Sequence, residues 1–200
     1  MAIQVPQSKG GPILFDKDEQ PRNDSSLEKL AKLKTVYGSP TVTAGNAPGM
    51  NSGASAIMIM SQKKAKEKGL KPLATIEAMQ CAAGPPKYMA CVPAKAIEKL
   101  LSKVGKTMDD MELIEINEAF AAVTLVSLKI LAKDNPDKMK ELQEKTNVNG
   151  GAIAMGHPVG ASGARITMTL MYELMRRGGG YGIAAICGGL SQGEAVLLRV

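Results

Sequence analysis

Met111-Glu112-Leu113-Ile114-Glu115-Ile116-Asn117, followed at once by Glu118-Ala119-Phe120-Ala121, decides the fold class. The short run rich in Leu and Ile reads as a strand, and the apolar residues beyond Glu118 read as a helix. A strand therefore gives way directly to a helix. Side chains at the C-terminal end of such a strand point into the crevice where open α/β sheets bind ligands. Asn117 stands there. Its amide can hold a water or a carbonyl, and its position equally suits a helix cap.

The same alternation extends outward. Upstream, Pro93–Val104 reads as a helix with Pro in its first turn, and Pro72–Gln80 alternates as a strand. Cys81 to Cys91 reads as irregular. Downstream, a helix over Asp137–Lys145 is followed by the loop Asn147–Gly151. A long helix over Pro158–Arg177 is stopped by Gly178-Gly179-Gly180. Tyr181–Cys187 and Glu194–Val200 read as strands whose short connection suits an antiparallel pair. Towards the start, Thr41–Gly45 reads as a short strand. Asn51-Ser52 is expected to cap a helix running to about Lys68, apolar through Ala54, Ile57, Met58 and Ala65. Ser25 is expected to cap a helix with Glu28 as its capping-box partner. Residues 1–25 are rich in Pro, Gly and charge. The class is α/β, with at least one helical layer on a mixed sheet. No internal repeat is found.

The 200 residues are 44% hydrophobic, enough for one domain or one and a fraction with a real core. Aromatics make up 3%, with no Trp, so Ala, Val, Ile, Leu and the 13 Met must fill that core. The formal charge of +6 is compatible with nucleic acid, anionic lipid or a phosphorylated small molecule. The densest basic run, Lys63-Lys64-Ala65-Lys66-Glu67-Lys68, holds no aromatic and reads as a solvated helix end, so no nucleic-acid partner is expected. Three cysteines, Cys81, Cys91 and Cys187, fit neither a zinc site nor a disulfide framework, which suggests a reducing, cytoplasmic setting. No signal peptide and no apolar run of spanning length is found, so no membrane association is expected.

Two further segments can carry chemistry. Asn149-Gly150-Gly151-Ala152-Ile153-Ala154-Met155-Gly156-His157-Pro158-Val159-Gly160-Ala161-Ser162-Gly163-Ala164-Arg165 holds the chain's one histidine. Glycine lets a ligand approach the backbone there, and a helix N-terminus follows. Cys187, at a strand end before Gly188-Gly189, is either an accessible reactive thiol or a small buried hydrophobe.

Together these motifs resemble the thiolase family. Thr41-Val42-Thr43-Ala44-Gly45-Asn46, Asn117-Glu118-Ala119-Phe120-Ala121, the Gly-His-Pro loop with Gly160-Ala161-Ser162-Gly163, and Cys187-Gly188-Gly189 are similar to its successive signatures, in order. The resemblance implies a site built from two similar βαβαβ halves plus a loop domain. Residues 1–40 correspond to a loop-domain remnant, 41–72 to the last strand and helix of the N-terminal half, and 73–200 to the C-terminal half. It implies acyl transfer between CoA thioesters, by Claisen condensation to acetoacetyl-CoA or its thiolytic reverse. His157 would activate a nucleophilic cysteine and, with a water held by Asn117, bind a thioester oxygen. Cys187 would move the α-carbon proton, and the Gly189 N–H would serve the other oxyanion hole. Phe120, Ala44 and Gly45 would line the pantetheine tunnel, with Lys34 near the CoA phosphates, although Lys34 is equally simple surface charge.

CoA and acyl-CoA are then substrates, with no bound cofactor and no metal. The family's nucleophilic cysteine falls in a first half that these residues do not include. The expected partner is therefore an N-terminal thiolase half in a homo- or hetero-oligomer, whether the chain is a natural subunit or a fragment. Cys81 is a poor substitute, because Gly84-Pro85-Pro86 follow it where the family nucleophile opens a long buried helix. Pro48 stands where the family often has Ser, and Leu190 where a third Gly is common. The stretch around Lys133 to Lys145 is longer than usual. A non-catalytic acyl-CoA-binding or structural subunit is the alternative. The related ketoacyl synthases fit less well, since they use two histidines.

Overall fold

The computed structural model describes residues 2–200. β1 (Ile3–Val5) and β2 (Ile13–Phe15) form an antiparallel ribbon. The short helix α1 (Leu27–Ala31) is capped by Ser26, whose hydroxyl accepts the Lys29 N–H at 3.2 Å. The cap is not Ser25, because the Ser25 N–H is turned back onto the Arg22 carbonyl. Ser26 thereby takes the extended conformation that a cap needs. Glu28 pairs forward with Lys32 instead of closing a capping box.

Two expectations in the next segment fail. Thr41–Gly45 forms only an isolated bridge, Thr35 to Thr43. The Asn46 side chain accepts the Thr43 N–H at 2.8 Å and donates to the Thr41 carbonyl at 2.9 Å, curling the stretch into a turn. The helix expected from Asn51 begins only at α2 (Gln62–Glu67), capped by Ser61. Residues 51–61 have no regular structure, and Ile57, Met58 and Ile59 are exposed. Ala54-Ser55-Ala56-Ile57-Met58-Ile59-Met60 combines small residues with a strand-favouring apolar run. Among the described residues no strand lies beside it to pair with.

The main sheet follows. β3 (Thr75–Ala83) runs on through Cys81, beyond the expected end. A 3₁₀ turn over Pro86–Cys91 leads into α3 (Val92–Val104), closed by Gly105 at φ 66°. Then come β4 (Leu113–Ile116), α4 (Ala121–Leu131), α5 (Pro136–Glu144), the short α6 (Ala152–Met155), α7 (Val159–Arg177), β5 (Tyr181–Gly188) and β6 (Gln192–Arg199). The sheet has four strands in the order β3-β6-β5-β4. β4 and β5 are parallel, and the other pairs are antiparallel. The mixed sheet and the β5–β6 hairpin match the sequence pattern.

Strand pleating divides the core in two. On one face Ile114, Ile116, Ile183, Ala185, Cys187 and Leu197 pack with α3 residues Ile97, Leu100 and Leu101. On the other, Leu113, Ala184 and Leu198 meet Ile166, Leu170 and Leu174 of α7. Each fully buried side chain of this size contributes about 1.5–3 kcal/mol. The outer side of α7 is unlike its inner one. Thr167, Met168, Met171 and Tyr172 line an apolar groove of about 620 Å³, whose far wall is the irregular Ala56–Met60 segment. Among the described residues no helix is long and apolar enough to cross a membrane.

Candidate active site

Parallel pairing of β4 with β5 sets one edge of the site. Ile116 lies opposite Ala185, and the Asn117 N–H donates to the Ala185 carbonyl at 3.0 Å. Asn117 thus leaves the C-terminal end of β4 beside the end of the strand that carries Cys187. The cap reading of Asn117 is wrong. Phe120, extended at φ −152°, occupies the cap position of α4, and Asn117 is buried to 1% exposure in the connecting loop.

The α6–α7 loop brings His157 to Asn117. The His157 N–H donates to Asn51 Oδ1 at 2.9 Å. Gly156 stands at φ 99°, and a Cβ there would meet the Asn51 side chain at 2.8 Å, so glycine is needed for both reasons. The ring has two partners, Ser162 Oγ at 2.7 Å from Nδ1 and Asn117 Nδ2 at 3.4 Å from Nε2. The Ser162 hydroxyl, in the first turn of α7, donates its one hydrogen to the Pro158 carbonyl at 3.0 Å. With its hydrogen so placed, Oγ accepts from Nδ1–H, and this tautomer leaves the lone pair on Nε2. Burial, and after it the nearby Arg165 charge, hold the His157 pKa below its ordinary value. A neutral imidazole with its lone pair on Nε2 is the form that accepts a proton. It borders a cleft of about 350 Å³ together with Phe120, Ala47, Pro48, Met50 and Val159.

Buried charges lie behind Asn117. Arg165 Nη2 is 3.5 Å from Asn117 Oδ1, and Nη1 is 3.9 Å from Glu115 Oε2. Burial pushes the Glu115 pKa up to about 7, Arg165 pulls it down, and Glu118 pushes it up. Glu118 accepts the Ile153 N–H at 3.0 Å, tying the histidine loop to the end of β4. Gly151 lies directly against that carboxylate and leaves no room for a Cβ.

The Glu115 shift sets a pH dependence of stability. Its folded pKa is above the unfolded value of 4.5, so its contribution is full below that value and is lost as pH rises towards about 7. The unfolding free energy should fall over this interval at no more than about 1.4 kcal/mol per pH unit. Glu115→Gln should flatten that slope in urea titrations at pH 5, 6, 7 and 8. Parallel slopes in the two proteins would refute the assignment.

The other sequence-selected residues are placed less closely. The Cys187 thiol is buried and its pKa is raised by that burial, partly offset by a backbone hydrogen bond. No hydrogen bond links it to His157 among the described residues. Gly189 lies in the exposed β5–β6 turn, where Leu190 and Ser191 take φ 59°. Gly45 packs against Leu30 and Leu33, and Ala44 is exposed, so Ala47 and Pro48 line the cleft in their place. Lys34 is exposed. Cys81 sits exposed on β3 opposite Glu194 and opens no helix. Sequence reasoning gave no site role to Asn51, read as a helix cap, or to Ser162, Arg165 and Glu115. Ser162 and Arg165 follow His157 on one helix and carried a usable signal, whereas Asn51 meets His157 only through the fold.

Residues 70–200 match the family described as "Thiolase, C-terminal domain", and residues 1–63 match "Thiolase, N-terminal domain". A protein of Mycolicibacterium smegmatis named "Probable acetyl-CoA acetyltransferase" is 47% identical over 198 residues, covering 98% of this chain and 49% of that protein. The crystal structure of the Bacillus anthracis acetyl-CoA acetyltransferase superposes with a TM-score of 0.88 at 45% identity, over 100% of this chain and 48% of that one. Human mitochondrial 3-ketoacyl-CoA thiolase in complex with CoA gives 0.81 at 41% identity, over 94% and 46%. The chain spans about half the length of the curated relatives it matches. With the Gly-His-Pro loop, the Asn-Glu-Ala-Phe segment and the Cys-Gly-Gly turn on one sheet, the chain belongs to the thiolase family.

Proposed function

We propose that this chain supplies the acid–base half of a thiolase acting on acetyl-CoA and acetoacetyl-CoA, with the nucleophilic cysteine on a separate N-terminal half. The observation that carries the proposal is the placement of the His157 ring, its Nε2 at a cleft bordered by Phe120 and backed by the Asn117 amide. A base so placed takes the proton from the cysteine thiol of the N-terminal half. The thiolate adds to the acetyl thioester carbonyl, the C–S bond to CoA breaks, and the leaving CoA thiolate takes the proton back from His157. Charge on the thioester oxygen is then met by the protonated ring and a water on Asn117. Cys187 carries the proton to and from the acetyl α-carbon, and the Gly189 N–H faces the second oxyanion. Lys34 would meet the CoA phosphates, with Ala44 and Gly45 supporting the pantetheine wall.

The partner follows from what is uncovered. The apolar groove along α7 and the unpaired Ala54–Met60 run support a second α/β half that would cover the groove and pair with the run. Three free thiols support a reducing compartment such as the cytoplasm.

The test is CoA-dependent cleavage of acetoacetyl-CoA by the chain alone and mixed with an N-terminal thiolase half. Activity only in the mixture, lost in Cys187→Ser, is the expected result. Turnover by the chain alone would overturn the shared-site reading. CoA binding without turnover in the mixture would replace it with a non-catalytic acyl-CoA-binding subunit.

A further inference from the structure

We infer that Arg165, anchored by the buried Glu115, is a positioning residue that fixes the orientation of the Asn117 amide and so decides which atom faces His157. Guanidinium groups donate and never accept. With Arg165 Nη2 3.5 Å from Oδ1, only the oxygen of the amide can face it, and the Nδ2 hydrogens are left pointing at Nε2. The opposite orientation would place Nδ2 against a cation and Oδ1 against a lone pair, both repulsive. Ser162 fixes the proton on Nδ1 from the other side of the ring. The ring and the amide are therefore each held by a second residue, and the two assignments agree.

The Glu115–Arg165 pair fits this role better than a stabilising one. Glu115 is 3% exposed, and Nη1 of Arg165 is buried without a hydrogen-bond partner, since Glu115 is 3.9 Å away. Buried pairs of such loose geometry return little net stability. The pair does place a fork-shaped donor across the back of Asn117, which a lysine cannot replicate. The charged and titratable groups here are few. Arg165 on α7 bears on His157, and Glu115 on β4 and Glu118 in the loop after it bear on Arg165. Cys187, on β5, is the remaining titratable group at this sheet edge.

This inference rests on reading His157 as the base, but its test needs neither CoA, partner nor turnover. The chain has one histidine, so ¹⁵N-histidine labelling of the full chain gives one titrating imidazole by NMR. An amide donating to Nε2 stabilises the neutral ring. Asn117→Ala should then raise the His157 midpoint by roughly one pH unit. Arg165→Lys keeps the charge and frees the amide to turn its oxygen to an Nε2–H. It should raise the midpoint by a similar amount with Asn117 present, and leave it unchanged in the Asn117→Ala background. An equal shift in both backgrounds, or none in either, would overturn the inference. If Arg165→Lys does not fold, Asn117→Ala can still overturn the inference, because an unchanged or lowered midpoint means the amide does not donate to the ring. Success here with no thiolase turnover would retain the device and reject the proposed reaction.

Discussion

His157→Ala, assayed in this chain paired with a first thiolase half, should lower kcat by roughly 10³-fold, the scale of a lost general base. KM for acetoacetyl-CoA should change far less. The wall of the cleft is built by Phe120, Ala47, Pro48 and Val159, and the ring itself offers little area to a pantetheine arm. The pH profile should carry the same signature. On the proposed mechanism activity requires the neutral ring, so it should be lost as pH falls through a His157 pKa that burial and Arg165 hold below 6.5. In the wild type the acid limb of kcat/KM should therefore lie below pH 6.5, and in His157→Ala that limb should vanish from the residual rate. A variant that kept its kcat and lost only KM would mean that His157 binds substrate and moves no proton. An acid limb left in place would assign it to another group. Folding is a lesser concern here, because the half-buried ring is held by hydrogen bonds to a loop and is not part of either apolar core.

Most elements from β3 onward were legible because each carries its own pattern; the short α6, the 3₁₀ turn over Pro86–Cys91 and the last residues of β3 were not. The uninterrupted Leu-Ile-Glu-Ile run of β4, the Pro at the start of α3 and the triple glycine after α7 declare themselves within a few residues. The N-terminal third misled for a physical reason. Ile57 and Met58 share a helical face with Ala54, and they also belong to a strand-favouring run. Local sequence does not choose between these readings when no described strand lies beside the run. Asn117 was legible as a position and misjudged as a cap. A cap and a ligand-holding amide look alike until the start of the helix is known, and here it starts at Ala121. The histidine was found because it is the one in the chain, set among glycines. Its support was harder to see. Asn51 reaches it across more than a hundred residues, and Glu115 reads as one more polar residue on a strand until burial shows that it faces α7.

Gly193→Ala is the stability counterpart, and its cause is a contact that no side chain can relax. Gly193 is the second residue of β6, opposite Cys187 on β5 and Ala82 on β3. A Cβ there would run into the carbonyl of Val92 and come within 2.6 Å of its carbonyl carbon and 2.9 Å of its Cβ. Val92 is fully buried at the first turn of α3, so relief requires the helix to lift from the sheet or the strand to yield. Overpacking a core by one methyl costs about 1–3 kcal/mol, and a backbone clash beneath a helix end belongs at or above the top of that range. The loss should appear as a lowered urea midpoint. Gly188→Ala is the matched control, since nothing lies nearer than 3.9 Å to its Cβ, and it should shift stability by less than about 0.5 kcal/mol. Equal losses in the two variants would mean that the strands resent any alanine and that α3 contact is not the cause. The clash also connects packing to chemistry. Where the strand yields in place of the helix, Gly193 shifts away from Val92, and the Cys187–Gly193 pair moves with it. Gly193→Ala should therefore reduce turnover even where the protein remains folded, by shifting the thiol of Cys187 relative to an Asn117 whose N–H stays tied to Ala185.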